Sequence, residues 1–227
     1  PELFITDLKM TSKGAQGIVH SPYGKGFFLS PLIGKFNLMN LLQAVGILLL
    51  HGISLEKILL GIQSFPGVPG RMEAISIEGE LPKVIVDYAH TPDGLKNGLI
   101  AAGAFVKGVR VCVFGCGGDR DRDKRAKMGQ IAQKYADNII LTSDNPRTEN
   151  PRQILDDIMD GMTTKDELTI EEDRAIAIHE AISLALPGDI VLIAGKGHEA
   201  YQILGEVTIK FDDREIARKA LLLKLNS

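Results

Sequence analysis

RVCVF (Arg110–Phe114) runs directly into GCGGDRDRDKR (Gly115–Arg125), and this junction decides the fold. A short apolar run with β-branched residues, closed by glycines, reads as a buried strand. The glycines and the charged stretch behind them read as a loop that opens a helix. The same alternation recurs along the chain. Lys83–Asp87, Asn138–Thr142 and Asp189–Ala194 are further strand candidates. Helical patterns lie at about Asp93–Val106, Asp123–Ala136, Pro151–Met162 and Arg174–Ala185. Continuous apolar strands separated by helices imply an α/β fold, with a mostly parallel sheet covered on both faces. Two helix starts carry capping signals. Asn150 precedes Pro151 with Gln153 at the third position, and Asp212 pairs with Glu215 ahead of Ile216, Ala217, Ala220 and Leu221.

Upstream the pattern changes. ELFITDL (Glu2–Leu8), GIVHS (Gly17–Ser21) and GKGFFLS (Gly24–Ser30) carry β-branched and aromatic residues between breakers, a hairpin-like arrangement. Phe36–His51 offers Leu38, Leu41, Leu42, Val45, Leu48 and Leu49 as the buried side of a helix. A second helix starts at Ser54, with Leu55, Ile58, Leu59 and Ile62 on its apolar face. FPGVPG (Phe65–Gly70) breaks both helix and strand. The domain boundary is placed there, giving domains over 1–68 and 69–227 with a natural hinge between them.

Composition narrows the class. At 227 residues the chain has room for one to two domains of roughly 150 residues each. Hydrophobic residues at 44% and charged residues at 24% exclude wholesale disorder. A net charge of -3 lacks the global basic excess of a dedicated nucleic-acid binder. The longest apolar stretch, Ala44–Leu50, is far short of the roughly 20 residues that span a bilayer. No charged segment followed by an apolar core opens the chain, so secretion has no support. Cys112 and Cys116 cannot build a disulfide framework and fit a reducing cytoplasm as small buried residues. Pro1 either follows removal of an initiator methionine or opens an excised piece.

Four polar clusters fall at the ends of expected strands, where an open parallel sheet binds ligands. In DYAHTPDG (Asp87–Gly94), Asp87 suits a ribose hydroxyl and His90 a ring or phosphate. The alternative is a plain turn with Asp93 capping the next helix. In the glycine loop Gly115, Gly117 and Gly118 admit an anion, and Arg120 can fork onto a carboxylate. The loop fits neither the dinucleotide fingerprint nor a Walker A sequence. The remaining charges up to Arg125 read as a solvated helix face.

TSDNPRTENP (Thr142–Pro151) holds Asp144 and Asn145 before Pro146, a rigid turn that fixes the direction of Arg147. The alternative is a proline turn with a surface arginine. AGKGHEAYQ (Ala194–Gln202) offers Glu199 and glycine carbonyls to an ammonium group. Its Gly-Lys-Gly is weak as a phosphate signal, and His198 has no second histidine at metal-ligand spacing. Two arginines and a carboxylate together suit a ligand bearing both carboxylate and amine, an amino acid.

DYAHTPDGL, FGCGGDRDRDKR, DNPRTENP and GKGHEAYQ, in this order, resemble the carboxyl-terminal part of the Mur ligases, and within them the diaminopimelate-adding branch. GKFNLMN (Gly34–Asn40) and PGRME (Pro69–Glu73) resemble the end of that family's central ATPase domain and the hinge after it. The resemblance spans essentially the whole chain. It implies a Rossmann-like carboxyl-terminal domain behind the tail of an ATP-binding domain. It further implies cytoplasmic, ATP- and Mg²⁺-dependent amide-bond formation in peptidoglycan precursor synthesis. There, meso-diaminopimelate joins the UDP-MurNAc dipeptide through an acyl phosphate, with no nucleic-acid or membrane partner. Residue by residue, it implies that Arg120, Asp144, Asn145, Arg147, Gly195 and Glu199 contact diaminopimelate. It places Asn37 and Asn40 at adenine, Arg71 near the phosphates and Asp87 near the ribose.

The family's phosphate-binding loop, modified lysine and acidic Mg²⁺ ligands are not in this sequence. The chain is therefore expected to be a fragment that needs its amino-terminal domains, supplies no catalytic residue of its own and, isolated from them, neither hydrolyses nor uses ATP. Two other readings remain. One is a different Mur ligase or a folylpolyglutamate synthetase; the other is a nucleotide-binding module without catalysis.

Overall fold

The computed structural model describes residues 2–11, 14–104 and 106–226. Pro1, and Phe105 near the end of the helix expected over 93–106, lie outside them. The chain divides into two compact units, Pro1–Val68 and Pro69–Ser227.

In the first unit, β1 (Phe4–Thr11), β2 (Gly14–Ser21) and β3 (Gly24–Ser30) form an antiparallel sheet in that order. Helices α1 (Lys35–Leu50) and α2 (Leu55–Ser64) follow. Ser54 Oγ caps α2 by accepting from the Lys57 N–H at 3.4 Å. Val19 and Phe28 of the sheet share one core with Leu38, Leu41, Val45 and Leu49 of α1 and Ile58 and Ile62 of α2. The buried side of α1 is narrower than the sequence suggests. Leu42 is only partly covered and Leu48 is 42% exposed, because a helix turns about 100° per residue and Leu49 already occupies the inward direction.

The second unit is built on a six-stranded sheet in the order β4-β5-β9-β6-β7-β8. Its strands are β4 (Glu73–Ile75), β5 (Lys83–Asp87), β6 (Arg110–Phe114), β7 (Asn138–Leu141), β8 (Leu168–Ile170) and β9 (Ile190–Ala194). Edge strand β4 is antiparallel to β5, and every other pairing is parallel. The helices are α3 (Pro92–Gly103), α4 (Lys124–Tyr135), α5 (Pro151–Met159), α6 (Arg174–Leu184) and α7 (Asp213–Leu225).

Strand parity sorts the side chains into two cores. Val84, Val86, Val111, Val113, Val191 and Ile193 pack with Ala177, Ile178, Ala181 and Ile182 of α6 and Ala217, Ala220 and Leu221 of α7. The residues between them, Ile85, Cys112 and Leu192, are equally buried and point the other way, where α3 packs on β6 and β9. A sheet covered on both faces needs apolar residues at both parities, which is why these strands read as unbroken runs.

Several local readings change. The three-residue strands β4 and β8, and the hairpin β10 (Tyr201–Leu204) with β11 (Val207–Lys210), are too short or too exposed to carry a periodic signal. Thr91, not Asp93, caps α3, its hydroxyl accepting from the Gly94 N–H at 3.1 Å. Asn150 and Asp212 do cap α5 and α7, through the N–H groups of Arg152 and Arg214. Their expected reciprocal partners turn elsewhere: Gln153 bonds Asp157, and Glu215 pairs with Lys210.

Arg174, at the start of α6, and Asp213, at the start of α7, form a fully buried two-pronged ion pair with both bonds at 2.8 Å. The same guanidinium donates to the Ala194 carbonyl at 3.0 Å and so fixes the end of β9. Removing one partner strands a charge in the interior, whereas removing both does not. Asp213→Ala should destabilise the chain by about 3–5 kcal/mol in urea titrations, and the Arg174→Met/Asp213→Leu pair should cost much less. A double substitution as damaging as the single one would contradict this.

Candidate functional site

Strands β5, β9, β6 and β7 are adjacent and parallel, so the loops leaving their carboxyl ends meet at one edge of the sheet. The cavity there has a volume of about 190 Å³. Arg120, Asp144, Asn145, Arg147, Gly195 and Glu199 all line it, although they come from three separate stretches of sequence. Tyr88, His90, Cys116 and Lys124 also border it. Glu199, expected to meet an ammonium, and both arginines expected to meet carboxylates thus line one space, with Asp144 beside them.

Each wall is fixed by a different device. Arg147 has a left-handed backbone with φ 54°, a conformation that costs a non-glycine residue on the order of 1–3 kcal/mol. Its backbone is held at both ends by the hairpin: its N–H donates to the Ile203 carbonyl at 3.2 Å, and its carbonyl accepts from the Gly205 N–H at 2.9 Å. Its guanidinium donates to the Gly118 carbonyl at 2.8 Å. Arg120 is exposed, and its guanidinium bonds the carbonyl of Asp119 at 2.9 Å. Gly195 has φ 118°, and a Cβ there would lie 2.6 Å from Asp144 Oδ2, so the backbone passes where a side chain would not fit. Burial pushes the Asp144 carboxyl upward, with Arg174 and Lys196 opposing.

The glycine loop is braced from below by Arg125, a residue the charge pattern had placed on a solvated face. Its side chain is fully buried. The guanidinium donates to both oxygens of Glu149 at 2.9 and 3.0 Å, to Asp157 at 2.8 Å and to the Gly117 carbonyl at 3.3 Å. Glu149 also accepts from the Asp119 N–H at 2.5 Å and pairs with Arg122 at 2.8 Å. Loop, helix and the DNPRTEN turn are tied at one point.

Lys196 is the second residue whose place was not foreseen. Its side chain is fully buried, and its ammonium reaches Asn145 Oδ1 and Glu199 Oε2, each at 3.0 Å. The signal was available in a lysine entering a loop straight after five buried strand residues, three positions before a glutamate.

Of the expected nucleotide contacts, Asn37 and Asn40 lie on α1 of the first unit. Asn37 is buried and donates to the Ile33 carbonyl at 2.8 Å, whereas Asn40 is exposed. In the second unit, the exposed Arg71 guanidinium sits 4.6 Å above the Tyr88 ring. Asp87 is buried and accepts from the Met72 N–H at 2.7 Å, and burial holds its carboxyl above the usual range. His90 and His198 flank Tyr88, with ring centroids 4.6 and 5.2 Å away. Cys112 and Cys116 are buried free thiols pushed up to about 12 by desolvation, consistent with packing roles. Among the described residues no cluster of three or more His, Cys, Asp or Glu is arranged to hold a metal, and no helix is long and apolar enough to cross a membrane.

With this geometry in place, comparison with known proteins is decisive for the family. Residues 70–197 match the family described as "Mur ligase, glutamate ligase domain". The chain belongs to the Mur ligase family. It is 67% identical over 226 residues to the UDP-N-acetylmuramoyl-L-alanyl-D-glutamate--2,6-diaminopimelate ligase of Prochlorococcus marinus, covering 100% of this chain and 45% of that protein. A solved structure of a ligase with the same name superposes with a TM-score of 0.71 at 40% identity, over 98% of this chain and 46% of the other. The folylpolyglutamate synthase of Mycobacterium tuberculosis shares the fold, with a TM-score of 0.68 at 19% identity over 86% of this chain and 45% of its own. The chain thus spans about half the length of the relatives it matches.

The brace yields a pH prediction. The Arg125 guanidinium, aided by the Asp119 N–H, holds the Glu149 carboxyl down at about 2, below its ordinary 4.5. A depressed carboxyl contributes its full stabilisation above the ordinary value and loses it as pH falls toward the folded one. Glu149→Gln should therefore lower stability at pH 7 and converge with the unsubstituted chain between about pH 5 and 2. Urea titrations at pH 7 and 3.5 check this; an equal gap at both would count against it.

Proposed function

We propose that this chain is the carboxyl-terminal part of a cytoplasmic, ATP-dependent ligase that adds meso-diaminopimelate to UDP-MurNAc-L-Ala-D-Glu in peptidoglycan precursor synthesis. Its part in that reaction is to bind the incoming amino acid and present its amine. The observation that carries this reading is the single cavity bordered by Arg120, Arg147, Asp144 and Glu199.

Diaminopimelate bears two carboxylates and two amines, one more carboxylate than lysine. Arg147, locked by the hairpin, supplies a fixed guanidinium fork for the distal carboxylate, and Arg120 offers a second, more exposed one. Asp144 and Glu199 accept from an ammonium on the opposing side. A guanidinium facing the ammonium end of lysine repels it, so discrimination comes from an unfavourable contact as well as a favourable one. Holding the amine in one orientation turns an encounter into a near-attack geometry.

ATP supplies the activation of the acceptor carboxylate as an acyl phosphate. The exposed Arg71 guanidinium fits an anionic phosphate, and Asp87, anchored by the Met72 N–H, stands at the position that the resemblance gives to a ribose contact. Exposed Asn40 is better placed than buried Asn37 for an adenine edge. Ligands for Mg²⁺ are assigned to the portion of the relatives that this chain does not span, as are the UDP-MurNAc-dipeptide contacts.

In the full-length ligase, Arg147→Ala should weaken meso-diaminopimelate use by about 1.5–3 kcal/mol and leave the KM for ATP almost unchanged. Steady-state kinetics on both substrates check this division of labour, and equal losses for the two would overturn it. Calorimetry in parallel with L-lysine should show binding of meso-diaminopimelate alone.

A further inference from the structure

Lys196 is a fully buried cation to which the amino-acid-binding reading gives no role. Gly195 and Gly197 both adopt positive φ, at 118° and 54°, and a Cβ on Gly197 would lie 2.7 Å from both the Gly70 carbonyl and Tyr88 Cβ. The two turns send the Lys196 side chain inward, where it is fully buried. A buried ammonium is tolerated only when its donors are paired. Its two hydrogen-bond partners are Asn145 Oδ1 and Glu199 Oε2, both side chains of the cavity wall, and the Tyr201 ring lies 5.4 Å away.

We propose that Lys196 is a positioning residue that clamps Asn145 and Glu199 into one orientation, leaving Glu199 Oε1 to receive the ammonium of the incoming amino acid. The bonding pattern admits no other arrangement of the amide. Asn145 Oδ1 accepts from Lys196 Nζ and from the Ile203 N–H, each at 3.0 Å, so its Nδ2 must be the group that donates to Glu199 Oε2, also at 3.0 Å. Oε2 is then taken twice, by Lys196 and by Asn145. The Lys196 carbonyl accepts from the Glu199 N–H at 3.0 Å, closing a short turn that keeps the carboxylate beside its clamp. With both donors on one oxygen, the cavity meets a carboxylate whose free acceptor has a defined direction. Lys196 also offsets the two carboxylates on this wall, Asp144 and Glu199, which would otherwise repel each other before the ligand arrives.

The inference rests on the amino-acid-binding reading above, and a double-mutant cycle in the full-length ligase separates the two. Lys196→Met should raise the KM for meso-diaminopimelate about ten-fold or more while the KM for ATP moves less than about two-fold. Glu199→Gln should show the same selectivity, and the double substitution should be little worse than Glu199→Gln alone, since Lys196 acts through Glu199. Additive losses, or equal rises in both KM values after Lys196→Met, would overturn the clamp. Should Lys196→Met fail to fold, as judged by thermal melting, Lys196→Gln replaces it in the cycle with the same expected pattern. If neither Glu199→Gln nor Arg147→Ala alters the KM for meso-diaminopimelate, the binding reading itself falls. If those two do and the lysine variants do not, only the clamp falls.

Discussion

A cation enclosed in protein must find its counter-charges there, and the second unit is organised around three of them. Arg174, Arg125 and Lys196 have fully buried side chains, and each is tied to a loop at the carboxyl edge of the sheet. Arg174 fixes the end of β9, Arg125 braces the glycine loop, and Lys196 joins the loop after β9 to the turn after β7. None of these bonds can be exchanged for water without stranding a charge, so the loops behave as parts of the scaffold. The cavity they enclose inherits that rigidity.

This arrangement separates charges committed to the scaffold from charges that border the cavity. Arg120, exposed, and Arg147, half-buried, face the cavity, while the buried cations stand behind it. The acidic groups follow the same division. Asp213, Glu149 and Asp157 are committed to the scaffold, and Asp144 and Glu199 border the open space. Both signs of charge line its walls, as the zwitterionic ligand proposed for it requires.

The sheet was legible because its physics is periodic. Lys83–Asp87, Arg110–Phe114 and Ile190–Ala194 are apolar at both parities, which only a strand buried on both faces requires. The six cavity residues were legible through resemblance, since spacing alone left Arg147 open to a surface reading. What stayed hidden lacked either source. Arg125 sits in an alternating charge run indistinguishable from a solvated helix face, and only the fold reveals that Glu149 and Asp157 enclose it. Among the described residues the hairpin at Tyr201–Lys210 pairs with itself and, through one bridge, with Arg147, and its second strand is exposed along its length, so no apolar pattern announced it.

That hairpin has a consequence for how the protein can vary. It grips the Arg147 backbone on both sides and donates the Ile203 N–H to Asn145, using main-chain atoms throughout. Apart from buried Gln202, whose amide donates to the Asp144 carbonyl at 2.8 Å, such a splint is indifferent to the side chains it displays. Outward-facing positions such as Glu206 and Thr208 are therefore free to drift in composition. Its length is not free: one residue inserted between Gln202 and Gly205 would slide the three gripping groups out of phase and release the arginine they immobilise.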